Sequence, residues 1–104
     1  MNLRKELGLR IKELRKHKGL SQEKLSEMAD IGQNTLSYIE TGVNFCTGDT
    51  LEKIVRAFDI EPQELFNFGH LDSEENLLEK INLMLRDNPD KIREAYKIIH
   101  AIVY

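Results

Sequence analysis

The chain contains one cysteine, Cys46, no tryptophan, two prolines and few aromatic residues. A single cysteine excludes an intramolecular disulfide and a cysteine-based metal cluster. No basic residue flanks Cys46, so nothing local lowers its pKa, and a plain loop cysteine is expected ahead of a redox-sensing thiol. Also missing is any apolar run near the roughly 18–20 residues that span a bilayer. The first 18 residues are charged and lack the apolar core of a secretion signal. These absences point to a cytoplasmic protein without membrane contact. His17, His70 and His100 are scattered without metal-ligand spacing. No nucleophile–base pair, glycine-rich phosphate loop or paired-carboxylate motif occurs. Neither an enzyme nor a metal or other cofactor is expected.

What is present is charge, unevenly spread. The 104 residues carry a net charge of −3, which by itself argues against a partner as acidic as nucleic acid. Yet residues 1–44 hold eight Lys/Arg against six acids, while residues 45–104 hold seven against twelve. Seven of the basic residues precede Gly19. The first helix is therefore a basic element on an acidic molecule, or simply a solvated face. The length suits one domain, or one small domain with an appendage.

Apolar spacing predicts helices throughout and no strands. Leu3, Leu7, Ile11 and Leu14 recur at helical intervals over residues 3–18, and Gly19 stops that helix. Ser21 is a helix N-cap, though Lys24 stands where a capping box needs Glu or Gln. Leu25, Met28 and Ala29 form the inner face of this second helix. Asp30, Ile31 and Gly32 break it. Gln33 opens a third helix with Leu36 and Ile39 inward, ended by Gly42. Thr47 caps a fourth, bearing Leu51, Ile54, Val55 and Phe58. Pro62 begins a fifth, and Leu65 and Phe66 close the core. A hinge is expected at residues 68–70. Asp72 or Ser73 caps a sixth helix with Leu77, Leu78, Ile81, Met84 and Leu85. Asn88, Pro89 and Asp90 stop it and start a seventh, Asn88 as its cap, with Ile92, Ala95, Tyr96, Ile99, Ile102 and Val103.

The informative stretch is residues 21–42, SQEKLSEMADIGQNTLSYIETG: two short helices about a tight turn, with small or apolar residues at the inward positions. Such a pair can bury its contact and leave one face of the second helix free to enter a DNA major groove. Residues 9–66, with KGLSQ, the IETG ending and the downstream TLEKIVRAF, resemble the phage-repressor-like (Cro-type, xenobiotic-response-element-type) helix-turn-helix family. The resemblance covers more than half the chain.

It implies a five-helix lambda-repressor-like DNA-binding domain over residues 1–68; the helical pattern beyond it reads as a C-terminal helical hairpin over 69–104, and the fold class expected is all-α. It makes the third helix the recognition helix, with Gln33, Asn34, Ser37 and Tyr38 facing bases. Gln22 would contact a phosphate through its side chain and the helix N-terminus, with Thr35 and Asn44 as further backbone contacts. Arg15 and Glu40 would form a buried ion pair joining the first and third helices. The chemistry agrees: Gln and Asn bond bidentately to adenine, worth about 1–3 kcal/mol of discrimination each. Tyr38 suits a thymine methyl or a packing role.

The chain also departs from the family pattern. Asp30 and Gly32 stand where Gly and Ser or Thr are common, and the loop after Gly42, often basic, is Val-Asn-Phe-Cys. The third helix has no Lys or Arg. Phosphate attraction is therefore weak and one copy should bind poorly at physiological salt. A dimer through the hairpin is expected, using Leu77, Leu78, Ile81, Leu85, Tyr96, Ile99 and Ile102, because two short helices cannot hide so many apolar side chains. The hairpin folding back on its own domain remains open. The functional expectation is a transcriptional repressor that binds an inverted-repeat operator as a homodimer. The alternative is an antitoxin or interaction module whose acidic hairpin takes a protein antagonist or toxin.

Overall fold

A computed structural model describes residues 2–104. Its helices are α1 (Leu3–His17), α2 (Gln22–Ala29), α3 (Gln33–Glu40), α4 (Gly48–Phe58), α5 (Pro62–Leu65), α6 (Glu74–Asp87) and α7 (Ile92–Val103), with 3-10 turns at Gly69–Leu71 and Pro89–Lys91. No strand occurs among the described residues, and the fold is all-α. Among those residues no helix is long and apolar enough to cross a membrane. The chain divides into two compact units, one ending at Leu71 and the other spanning Asp72–Tyr104.

Three helices of the first unit, α1, α2 and α4, start where side chains supply the caps. Asn2, Ser21 and Thr47 accept hydrogen bonds from the backbone of Lys5, Lys24 and Thr50, satisfying N–H groups that have no partner inside the helix. They stop at left-handed residues, Asp30 after α2 and Asp59 after α4, a conformation that short polar side chains tolerate. Gly42, at φ +78°, turns the chain after α3, and a Cβ there would meet Lys5.

One apolar core holds the five helices together. Leu7, Ile11 and Leu14 of α1, Leu25 and Ala29 of α2, and Leu36 and Ile39 of α3 are buried with Ile54, Phe58, Leu65 and Phe68. Each such side chain contributes about 1.5–3 kcal/mol on leaving water. Several expected core positions lie elsewhere. Leu3 and Met28 are largely exposed, because the first turn of α1 and the edge of the short α2 lie off the buried stripe. Phe66 is exposed and Phe68 buried: α5 is a single turn that points Leu65 inward, and the chain then bends to bring Phe68 in. The expected hinge at 68–70 is a packed turn instead. Leu71 leans on the core, and His70 Nε2 lies 2.9 Å from both Glu13 oxygens. Burial opposes the charge on Glu13, but hydrogen bonds from Arg10 and His70 outweigh it and hold its carboxyl below the usual range.

The second unit has no such core. None of its residues is buried; Leu77, Leu85 and Ala95 are half-covered. Both α6 and α7 pack on the Pro89–Lys91 turn and scarcely meet each other, so the hairpin is an open one. Ser73 caps α6 by accepting from Asn76. Asn88 does not cap α7: its amide donates 2.9 Å back to the Met84 carbonyl, closing α6.

Candidate nucleic-acid interface

The site is built on α3. Its period of 3.6 residues places Leu36, Ile39 and Glu40 against the rest of the unit, where all three are buried. The opposite positions, i, i+1, i+4 and i+5, are Gln33, Asn34, Ser37 and Tyr38. Gln33 and Asn34 are exposed, Ser37 is half-buried, and Tyr38 is 50% exposed. Tyr38 is thus not a core residue, and its ring is available on the outer face. Thr35 is exposed beside them, and Asn44 is exposed in the following loop. That loop is anchored to the helix end, with the N–H groups of Val43 and Asn44 donating to the Tyr38 carbonyl at 2.9 and 3.2 Å. The exposed face therefore carries amide and hydroxyl groups and one phenol, with no charge.

The start of α3 is unusual. Its N-cap is Gly32, which supplies no side-chain hydrogen bond. The first backbone N–H groups of the helix are left to solvent or a ligand. The start of α2 is half-capped: Ser21 Oγ takes the Lys24 N–H at 3.0 Å.

What holds α3 in place is a polar cluster inside the unit. Arg15 Nε donates to Glu40 Oε2 at 2.8 Å and its Nη2 to Oε1 at 3.1 Å, a two-pronged contact between α1 and the last residue of α3. Arg15 Nη1 also donates to the Leu20 carbonyl at 2.8 Å. Gln22 turns inward as well: its Nε2 donates to Glu40 Oε1 at 3.0 Å. Both ions are buried, so removing one partner would strand the other at a cost of about 3–5 kcal/mol. The chain's spacing gave no sign of the Gln22 contact, because Gln22 and Glu40 are 18 residues apart and meet only through the turn between their helices.

Two arginines of the basic first helix are engaged inside the unit. Arg15 is committed to Glu40, and Arg10 donates to Glu13 and to the Glu64 carbonyl. Two of the seven cations that precede Gly19 therefore work inside the unit. Among the described residues no group of three or more His, Cys, Asp or Glu side chains is placed to hold a metal.

Residues 3–68 match the family described as helix-turn-helix domain. The chain belongs to that family. It is a helix-turn-helix protein of the phage-repressor, xenobiotic-response-element type. It is 34% identical over 68 residues to the control protein C.BamHI of Bacillus amyloliquefaciens, covering 64% of this chain and 84% of that one. The restriction-modification controller protein C.AhdI of Aeromonas hydrophila is 37% identical, with a TM-score of 0.58 over 60% of this chain and 94% of that one. SinR, a master regulator for biofilm formation solved in complex with DNA, is 34% identical, with a TM-score of 0.56 over 59% of this chain and 98% of that one. The family match ends at residue 68, so α6 and α7 of this helix-turn-helix protein lie outside it.

Proposed function

We propose that the protein is a sequence-specific double-stranded DNA-binding transcription regulator that represses from an inverted-repeat operator as a homodimer. The observation that carries this is the two-sidedness of α3: one face is fixed in the core and by Glu40, and the other presents Gln33, Asn34, Ser37 and Tyr38. Amide side chains at a free helix start are suited to adenine edges in the major groove. The N-terminus of α2, with Thr35 and Asn44, would sit against phosphates. The relatives' names, control protein and master regulator, support the same role.

Two facts support dimerisation. The recognition face has no cation of its own, so a single copy gains little from counterion release. The second unit exposes Leu78, Ile81, Tyr96, Ile99 and Ile102, with Leu77 and Leu85 half-covered; an unburied apolar surface of this kind marks an interface. The same exposure supports a second reading, in which a protein antagonist or toxin occupies α6 and α7.

The test is selection of duplexes from a random DNA library by the purified full chain at physiological salt. The expected product is an inverted repeat with half-sites about 34–36 Å apart or a multiple of it, and Gln33→Ala should abolish the enrichment. A folded protein that enriches nothing counts against the operator reading and in favour of the partner reading.

A further inference from the structure

Residues 33–47, which make up α3 and the loop after it, contain no Lys or Arg. Cations reach this part of the unit from another helix. A Cβ on Gly42, where the chain turns after α3, would stand 2.8 Å from the Cγ of Lys5 and 3.0 Å from its Cα. Arg4 lines one surface recess with Asn2, Leu3 and Phe45. The start of α1 therefore lies along residues 42–45. One turn further on, Gly8 meets the Ile39 and Glu40 carbonyls, so close backbone packing fixes this placement. Arg4 and Lys5 are both exposed and form no ion pair among the described residues. Their position is locally unfavourable, because they stand in the first turn of α1, where the helix dipole disfavours positive charge. Arg10 and Arg15 of the same helix are held inside the unit. The exposed edge that Lys5 opens is of one sign. Lys12 and Lys16 follow it at intervals of seven and four residues and share that edge. Glu6 and Glu13 lie round the helix from it, Glu13 against His70.

We infer that Arg4 and Lys5 are phosphate contacts: with the outer face of α3 in a major groove, they take the backbone of the strand that passes residues 42–45. This rests on the operator-binding reading above and supplies the cations that the face of α3 lacks. The two ends of the site then hold opposite strands. The start of α2 meets one backbone, and the end of α3 with the start of α1 meets the other. A cation on a phosphate strengthens binding to all duplexes alike and carries no base information. Arg4 and Lys5 thus set affinity and its salt dependence, while the exposed residues of α3 set which duplex is chosen.

The experiment removes the two charges and then restores them in another form. Full-length Arg4→Gln with Lys5→Gln is compared with the parent protein and with the conservative pair Arg4→Lys with Lys5→Arg. Affinities for the selected operator and for an unrelated duplex are measured from about 50 to about 200 mM salt, and thermal melting checks that each variant is folded. Each lost contact should flatten the slope of log affinity against log salt by about 0.9. Raising the salt over that range should therefore cost the glutamine variant roughly tenfold less affinity per bound copy than it costs the parent. Both duplexes should change alike, so discrimination is kept, and the conservative pair should keep the parent's slope. An unchanged slope in the glutamine variant overturns the inference. A loss confined to the operator also overturns it, because the pair is then a prop for the end of α3. So does a slope that flattens equally in the conservative pair, since charge is then not the cause. If the parent protein selects no operator, the operator reading fails by itself and the slopes are read on the unrelated duplex alone. There an unchanged slope, or no binding by the parent at low salt, overturns the inference.

Discussion

Gly8 lies in the middle of α1, where glycine is worth about 1 kcal/mol less than alanine. The packing explains it: a Cβ there would stand 2.3 Å from the Ile39 carbonyl oxygen and 2.7 Å from that of Glu40. Neither backbone atom can swing aside, so α1 approaches the end of α3 only because Gly8 has no side chain. Gly8→Ala should destabilise the first unit by about 1–3 kcal/mol despite the better helix propensity. Thermal unfolding should register this as a drop of roughly 4–8 °C per kcal/mol. Affinity for the proposed operator should fall with it, because the displaced residues end α3. Nothing in the spacing of the first helix marks Gly8, since the groups it must avoid belong to a helix far along the chain. Cys46 is a second residue whose character depends on its surroundings. It is buried, and burial pushes its thiol up to about 11. A thiol raised above its unfolded value of about 8.5 stays protonated at pH 8, so alkylation in the native protein should be slower than in urea by on the order of 100-fold. Equal rates would show the thiol to be open to solvent.

Single elements were the most legible level. Ser21, Thr47 and Ser73 cap the helices that their residue types announce, because a cap is a contact within three residues. Asn88 shows the limit: the same amide serves either flanking helix, and the Pro89–Lys91 turn gives it to α6. Asp72 adds a device at the start of α6. Its carboxyl receives Lys80 Nζ at 2.8 Å, Asn76 Nδ2 at 3.1 Å and the Ser73 N–H at 2.8 Å. These bonds, with Lys80 foremost, hold it down at about 2. The folded value lies below the unfolded one of about 3.9. The stabilisation is therefore complete above about pH 4 and is lost as the pH falls through about 2. An NMR titration of the Asp72 carboxyl should give a midpoint near 2, moving towards about 4 in Asp72 unfolded by urea. Helix content in α6 should decline over the same window, more gently at high salt because the group is at the surface.

The whole molecule joins a unit with a core to a unit without one. A segment such as Asp72–Tyr104, with nothing buried, cannot stabilise itself from within, and its apolar side chains include Tyr96 at 67% and Ile102 at 78% exposure. Covering an isoleucine or leucine is worth about 1.5–3 kcal/mol, against an association cost of about 4–15 kcal/mol. Most of the seven side chains expected at the interface must therefore be covered for a dimer to hold at micromolar concentration. Light scattering on the full chain should give twice the chain mass. Ile99→Asp with Ile102→Asp should halve it without lowering the melting temperature of the first unit, since neither residue belongs to that core. An unchanged mass would move the interface elsewhere.

By itself the sequence determined what short-range chemistry and periodicity can encode. That includes seven helices, most of their caps, the buried stripe of the first five, and through KGLSQ and IETG the helix-turn-helix family. Through the same resemblance it also named the residues on the outer face of α3, and register along one helix agrees with them. Tertiary structure alone decided the rest. It turned Gln22 inward to Glu40, required Gly8 at a backbone contact, drew Arg10 out of the basic surface, and chose Phe68 over Phe66 for the core. Each of these depends on a distance between elements far apart in the chain. Such distances are fixed only when the helices pack, and no local pattern of residues records them.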